Sequence, residues 1–256
     1  MPRLFRLLVA VLLLAGLQFP PHAAAAAPDL GSQTLALQLA TTGMAQLQRG
    51  EDRAAAATFQ QALKLQPAMV AAALGLGIAE LRLADYGGAL DAYRLATRLA
   101  PQLAGGHLGV GQALDGLGRF REAIVAYLAA THRDPALVEA FVHLGLDFGR
   151  TAQWTSAGDA FRRVAQLDPT DSLGPYGVGL ALMRQGRPVE AVAAFRLAIA
   201  RAPRDAELYV ALAEALNTAG RSAEALAAYD QALKLAPGHA EAQEGAKTLR
   251  RRLGGT

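Results

Sequence analysis

The sequence predicts an all-α protein built from six consecutive two-helix units, and three patterns lead to this prediction. First, six prolines recur at intervals of 34 residues, from Pro67 to Pro237. Second, a small residue stands twelve positions before each of these prolines, and an aromatic residue stands eight positions before it. Third, the apolar residues within each unit follow the three- and four-residue spacing of one face of an α-helix.

The recurring positions form five sets. The prolines are Pro67, Pro101, Pro135, Pro169, Pro203 and Pro237. The residues twelve before them are Ala55, Ala89, Ala123, Ala157, Ala191 and Ala225. The aromatic residues are Phe59, Tyr93, Tyr127, Phe161, Phe195 and Tyr229. The residues five before the prolines are Ala62, Ala96, Ala130, Val164, Ala198 and Ala232. The residues twenty-four before them are Gly43, Gly77, Gly111, Gly145, Gly179 and Ala213.

Each set has a physical role in a pair of packed helices. Small residues on both helices let their backbones approach closely, and the aromatic ring fills the space between one unit and the next. The proline ends the second helix, because it has no N–H and disfavours α geometry at the residue before it.

These residues resemble the tetratricopeptide repeat, a 34-residue helix-turn-helix unit, over Ala36 to His239. The resemblance implies an all-α, right-handed α-solenoid of about six repeats. The repeats are expected at 36–69, 70–103, 104–137, 138–171, 172–205 and 206–239. Residues 240–253 are expected to form a capping helix, because one side of this stretch is polar. Residues 26–35 are expected to be a linker, with Ser32 as the N-cap of the first helix.

Some positions depart from the repeat pattern. Glycine stands in the turn between the two helices in four repeats, whereas Ala84 and Ala152 replace it in the other two, so those two turns are expected to be less regular. The aromatic residue usual near the start of the first helix is present only as Phe141 and Tyr209, which predicts weaker packing elsewhere. Pro175 is expected in the first turn of its helix and Pro188 at the start of the next one.

The first residues have the layout of a secretory signal peptide. Arg3 and Arg6 precede an apolar run over residues 7–17, which is too short to span a bilayer, and a proline break and an alanine string follow. Cleavage is expected after Ala25, so that residues 1–25 are removed. The alternative is an uncleaved membrane anchor, and in both cases the repeats lie outside the cytoplasm. Frequent alanine and arginine favour a bacterial periplasm; a mitochondrial transit peptide is disfavoured, because the leucine block is not amphipathic.

Composition excludes several classes of protein. A chain with 52% apolar and 18% charged residues is not mainly disordered. The absence of cysteine excludes disulfides, thiolate metal sites and cysteine nucleophiles. Without Arg3 and Arg6, 23 basic residues face 22 acidic ones, so no net positive field favours nucleic acid as a partner.

No catalytic, cofactor or metal site is predicted. Three Gly-x-Gly pairs occur in phase with the repeat, but no strand or third glycine accompanies them, so helix packing explains them better than dinucleotide binding. His143 and Asp147 are four residues apart and could give two metal ligands, but no third is evident, so a packing pair is favoured. The Arg250-Arg251-Arg252 run is interpreted as a solvated helix end, and Trp154 as a packing residue.

The resemblance also implies a concave groove lined by the first helices of the repeats, where ligands of the family, usually peptides, bind. The groove residues predicted in the first three repeats are Met44, Leu74, Ile78, Arg82 and Gln112. Those predicted in the last three repeats are Val142, Leu146, Arg150, Tyr176, Leu180, Met183, Arg184, Glu214 and Asn217. The Lys/Asn/Arg clamp with which chaperone-binding members hold a terminal carboxylate is absent from these positions.

The sequence therefore predicts a non-catalytic interaction scaffold of the bacterial cell envelope. An apolar groove floor with an edge of arginines suits an amphipathic partner that carries aliphatic anchors and a few acidic residues. Three alternatives remain. The first is a structural protein that associates with copies of itself through its ends, and the second is an accessory subunit of an envelope polysaccharide or secretion machine. The third is an enzyme, or a substrate-binding subunit, for glycan or peptidoglycan.

Overall fold

The computed structural model describes residues 30–254, and within this range the chain forms thirteen α-helices and no β-strand. The predicted all-α repeat fold is confirmed. The helices are α1 (Leu30–Gln48), α2 (Asp52–Leu65), α3 (Val70–Arg82), α4 (Tyr86–Leu99), α5 (Ala104–Gly116), α6 (Phe120–Arg133), α7 (Val138–Arg150), α8 (Trp154–Leu167), α9 (Leu173–Arg184), α10 (Pro188–Arg201), α11 (Ala206–Thr218), α12 (Ser222–Leu235) and α13 (Ala240–Gly254).

The helices fall into two compact units, the first ending at Asp134 and the second beginning at Pro135. In the first unit, α1–α6 pack as three helical hairpins, and each second helix also packs against the first helix of the next hairpin. In the second unit, α7–α12 repeat this arrangement, and α13 packs against α12. The first helices of neighbouring hairpins also touch within each unit, namely α1 with α3, α3 with α5 and α7 with α9.

Close contact between glycine backbones and aromatic rings holds the hairpins together. A Cβ atom at Gly75 would lie 2.3 Å from the ring of Phe59 in the preceding hairpin, and one at Gly77 would lie 2.8 Å from the ring of Tyr93 in its own hairpin. Both distances are far below van der Waals contact, so only glycine allows each ring to press on the helix backbone. The aromatic side chains are therefore buried between hairpins, as the sequence predicts.

The recurring prolines end the second helices as predicted. Each of α2, α4, α6, α8, α10 and α12 ends two residues before its proline. The residue between them leaves the helical conformation, as at Gln66, where φ is −137° and ψ is 87°. Pro175 lies in the first turn of α9 and Pro188 is the first residue of α10, which confirms both expectations.

The turns between the two helices of each hairpin are more uniform than expected. Ala84 and Ala152 adopt φ values of 59° and 57°, close to the 71–79° of the four turn glycines. The hydrogen bonds also match, because Asp85 N–H donates to the Glu80 carbonyl just as Arg119 N–H donates to the Leu114 carbonyl, both at 2.9 Å. The prediction that these two turns would be less regular was wrong. The hydrogen-bond pattern imposes a left-handed conformation on the turn residue, whether it is glycine or alanine.

The start of the first helix also differs from the expectation. Because α1 begins at Leu30, residues 30–35 are helical and do not form a linker. Ser32 therefore lies inside the first turn and does not occupy the N-cap position. The predicted signal peptide, residues 1–25, lies outside the described residues. Within residues 30–254, no helix is both long enough and apolar enough to cross a lipid bilayer.

The last helix packs as the first half of a further repeat. Ala242, Ala246 and Leu249 of α13 are buried, whereas Glu241, Gln243 and Glu244 on its other side are exposed. A Cβ atom at Gly245 would lie 2.4 Å from the Tyr229 ring, so α13 presses on that ring as earlier first helices press on theirs. The helix thus covers the apolar side of α12 and leaves polar side chains towards solvent, which is the behaviour of a cap.

Candidate functional site

The candidate site in the second unit is a row of apolar side chains on its first helices. Repeat positions are counted from the first residue of each predicted repeat, so that the recurring proline is at position 32. Leu146 of α7 and Leu180 of α9 both occupy position nine, and their exposed fractions are 43% and 42%. Val142 and Tyr176 at position five are half-buried beside them, and Met183 is half-buried and packs against the core.

The tyrosine on this row is held in a defined place. The ring of Tyr176 contacts that of Phe195, with ring centres 5.9 Å apart and an angle of 50° between the planes. Phe195 is itself buried, so the tyrosine ring is anchored in the core while part of it faces the groove. The row therefore combines an anchored aromatic residue with two accessible leucines, and exposed apolar patches of this kind mark surfaces that bind other proteins.

The corresponding row in the first unit is less accessible. Met44 and Ile78 at position nine are half-buried and pack against the apolar core, and Gln112 at the same position is also half-buried. Leu74 at position five is only 4% exposed, so it supports the surface from below and is not available to a ligand. Large exposed apolar side chains at position nine are therefore confined to the second unit.

The three predicted groove arginines have partners within the protein. Arg82 donates a hydrogen bond of 2.8 Å to the carbonyl of Leu47 at the end of α1, and it lies 3.3 Å from the carboxylate of Asp52. Arg150 donates to the buried carboxylate of Asp147 at 2.6 Å. Arg82 thus links α3 to the end of α1 and the start of α2, and Arg150 provides the counter-ion for the buried Asp147 carboxylate.

The third arginine stacks on an aromatic ring. The guanidinium carbon of Arg184 lies 5.7 Å from the centre of the Trp154 ring, which is within the range of a cation–π contact. All three arginines of the predicted edge are thus engaged in intramolecular contacts, which weakens the expectation that they select an acidic partner.

The structure accounts for the residues that imitate catalytic patterns. The Gly-x-Gly pairs lie inside helices against aromatic rings, as Gly109 does against Tyr93 and Gly111 against Tyr127. Asp147 is completely buried and forms an ion pair with Arg150. This fits the packing role that was favoured for Asp147 and His143 over a metal site. No group of three or more potential metal ligands occurs within the described part of the chain.

Acidic side chains converge at the end of the second unit, and only one of them, Glu214, was predicted from the sequence. Besides Glu214, the residues Glu207 of α11 and Glu241 of α13 carry charges that act on the hydroxyl of Tyr176. Glu207 and Glu241 are 34 residues apart and both occupy position two. Extending the repeat register into the capping helix would have revealed them. Asn217, also predicted, lies beside this cluster, 3.5 Å from Arg252.

The comparison with protein families agrees with this architecture. A family model described as tetratricopeptide repeat matches residues 41–104, 109–172 and 176–240, which together make up most of the chain. None of the curated proteins matches the sequence with significance.

Solved structures share the fold at low sequence identity. The protein MamA is 22% identical with a TM-score of 0.62, over 65% of this chain and 91% of MamA. YrrB, described as a TPR protein with an unusual peptide-binding site, is 20% identical with a TM-score of 0.66, over 74% and 97% of the two chains. Pseudomonas aeruginosa PilF is 20% identical with a TM-score of 0.67, over 85% and 99%. At these identities the likeness concerns the fold alone.

Proposed function

Because the chain belongs to the tetratricopeptide repeat family, whose fold generally mediates protein–protein interactions, we propose that it is a non-catalytic scaffold that binds a segment of a partner protein on the first helices of its second unit. The observation that carries the proposal is the pair of exposed leucines, Leu146 and Leu180, at the same position of consecutive first helices. Exposed leucines in register beside a fixed aromatic ring offer an apolar contact surface to a ligand side chain.

The contacts that this surface offers determine the kind of ligand. Its centre is apolar and its polar groups stand at the ends of the helices, so it suits a helix or an extended segment with aliphatic residues on one side. The glycines that would permit a close backbone approach are already covered by aromatic rings, as Gly177 is by Phe161. The ligand therefore binds through side chains that lie on the helices.

The experiment compares two double variants in the same unit. Leu146→Asp with Leu180→Asp places two charges in the surface, and we expect the amount of captured partner to fall at least tenfold in affinity purification from cell extract. Val189→Asp with Leu197→Asp is the matched control, since these side chains are also exposed but lie on the second helix α10. The proposal fails if both variants retain the partner equally, provided that their circular dichroism melting curves match.

We further propose that the protein works outside the cytoplasm, as a component of a bacterial envelope assembly. The basic, apolar and alanine-rich pattern of residues 1–25 supports export. Mass spectrometry of the protein from fractionated cells should find a chain that begins at Ala26 in the periplasmic fraction. A full-length chain in the cytoplasmic fraction would contradict this location, and one in the membrane fraction would favour an uncleaved anchor.

Self-association is a second candidate function, and one feature of α1 favours it. This helix contains no charged residue, and Leu30, Leu35 and Leu37 on it are exposed. Exposed leucines on a helix without charge could stack on another copy of the chain. Light scattering of the purified protein at increasing concentration tests this candidate. If Leu35→Lys with Leu37→Lys leaves a measured oligomer intact, the α1 surface is not the interface.

A further inference from the structure

The surface of the second unit changes from apolar to acidic towards the C-terminal end of the unit. Leu146 and Leu180 occupy position nine in α7 and α9, whereas Glu214 occupies the same position in α11. Glu207 and Glu241 stand at position two of α11 and α13. A ligand on the exposed leucines that continues along the first helices therefore meets carboxyl groups next.

These carboxyl groups lie close to one another. Burial first, and then hydrogen bonding to the Glu241 carboxyl group and the charge of Glu241, raise the pKa of Glu214 to about 7. Burial raises the pKa of the Tyr176 hydroxyl, and the charges of Glu207, Asp205, Glu214 and Glu241 raise it further. The same carboxyl groups therefore act on the tyrosine hydroxyl and on one another.

The basic groups nearby do not neutralise the central pair. His239 lies 2.9 Å from Glu207, Lys247 lies 3.8 Å from Glu244, and Arg252 lies 3.5 Å from the amide oxygen of Asn217. Within residues 30–254, no lysine, arginine or histidine forms an ion pair with Glu214 or Glu241. Two carboxyl groups in contact without a cation repel each other once both are ionised.

A cavity lined by Glu241, one member of the pair, can hold a side chain. Its volume is about 250 Å³, and Asn217, Tyr229, Glu241 and Glu244 are among the residues that line it. The Tyr229 ring supplies an apolar wall, and the amide oxygen of Asn217 and the carboxylates of Glu241 and Glu244 supply acceptors. Such a site suits the aliphatic stem and cationic head of a lysine or arginine.

We propose that the second unit selects a basic, aliphatic segment of its partner protein, with aliphatic side chains on Leu146 and Leu180 and a lysine or arginine between Glu214 and Glu241. This inference rests on the proposed function and adds the charge of the ligand to it. It reverses the charge expected from the sequence, because Arg82 and Arg150 are paired with carboxylates and Arg184 stacks on Trp154. A cation between the two carboxylates removes their repulsion and forms charge-assisted hydrogen bonds.

The test uses three synthetic peptides of about 16 residues, which span about four helical turns. All three carry leucines at three- and four-residue intervals and differ only at two positions, which are lysine, glutamine or glutamate. Isothermal titration calorimetry with the purified protein measures each affinity at low and high salt. We expect the lysine peptide to bind at least tenfold more tightly than the glutamate peptide, with a smaller difference at high salt, because screening weakens exposed charge pairs.

A double variant identifies the groups responsible. In Glu214→Gln with Glu241→Gln, the preference for lysine should fall below about twofold, while the glutamine peptide keeps its affinity. Glu190→Gln with Glu224→Gln is the matched control, because it removes two exposed carboxylates from the second helices α10 and α12. The control should keep the full preference.

The outcomes separate this inference from the proposed function. If the glutamine peptide binds but the lysine peptide has no advantage, or if the advantage survives in Glu214→Gln with Glu241→Gln, the inference is wrong and the binding surface stands. If none of the three peptides binds, both are overturned.

Discussion

Glu80 of α3 is a carboxyl group buried in the first unit. Its side chain is 9% exposed, and its Oε2 atom has no hydrogen-bond partner in the part of the chain that the structure describes. Burial, and then the neighbouring carboxylate of Asp85, raise the pKa of Glu80 to about 7, and a hydrogen bond with Gln60 opposes this shift. Ionised Glu80 is therefore poorly solvated in the folded protein.

This shift predicts how stability depends on pH. Because the folded pKa of Glu80 lies above its unfolded value, its contribution to stability is present below about pH 4.5 and is lost as the pH rises through 7. Glu80→Gln keeps the shape without the charge and should raise the free energy of unfolding at pH 8 by about 2 kcal/mol, with little gain at pH 5. Urea denaturation at both pH values measures this difference.

The control for Glu80 is an exposed carboxylate. Glu122 lies 2.6 Å from Arg119, and hydrogen bonding to that guanidinium lowers the pKa of Glu122. Glu122→Gln should therefore give no stabilisation at pH 8. If Glu80→Gln and the natural protein have equal free energies of unfolding at both pH values, ionisation of the buried carboxyl group does not lower the stability and the prediction is wrong.

Ala84 and Ala152 are the only non-glycine residues of the described chain with positive φ. A left-handed conformation costs an L-residue roughly 1–2 kcal/mol, and glycine avoids most of this cost but loses more entropy on folding. Ala84→Gly should therefore stabilise the protein by about 0.5–1 kcal/mol in thermal unfolding. Ala57→Gly, an exposed position inside α2, should destabilise it by about 1 kcal/mol. Destabilisation by both substitutions would contradict this account of the turn.

At the scale of the helices, two glycines of α5 have different surroundings. A Cβ atom at Gly109 would lie 2.3 Å from the buried ring of Tyr93, whereas one at Gly105 would meet nothing within 4 Å. Gly109→Ala should destabilise the protein by about 2–3 kcal/mol, because either the ring or the helix must move. Gly105→Ala should be neutral or stabilising by up to about 1 kcal/mol. Similar melting temperatures for the two variants would show that the hairpins tolerate a wider separation.

The helices and their ends could be predicted from the sequence because local chemistry determines them. Pro67 ends α2 through its missing N–H and its effect on the preceding residue, and both effects are visible in the sequence. The turn at Ala84 was predicted less well, since its conformation follows from hydrogen bonds between the two helices and not from the residue itself. The start of α1 was missed because Pro28 and Gly31 suggested a linker.

The position of the candidate surface could be predicted from the sequence, but the charge of its available groups could not. The repeat register alone assigns Leu146 and Leu180 to equivalent positions. The role of Arg82 depends on a carbonyl 35 residues earlier, and the role of Glu241 depends on the packing of α13 against α12, which brings it near Glu214. Contacts of this kind arise only after the chain has folded, so a list of repeat positions could not show which charges remain available.

At the scale of the whole molecule, the structure consists of two compact units whose interiors are filled by alanine, glycine, aliphatic and aromatic residues. Because these interiors are filled, a ligand must bind on the accessible surfaces of the helices. In the second unit, the exposed leucines of the first helices are followed, on later helices of the same unit, by a carboxyl pair and a cavity. This combination supports a binding role and specifies the part of the chain where a partner should be found.

The most direct test of this binding role is site-specific photocross-linking in living cells. A benzophenone side chain at position 180 should form a covalent adduct with one partner protein, because the surface of α9 is proposed to be covered by that partner. The same side chain at position 197 of α10, where the natural leucine is similarly exposed, should form no such adduct. Equal adducts from both positions, or adducts from position 197 alone, would contradict binding on the first helices.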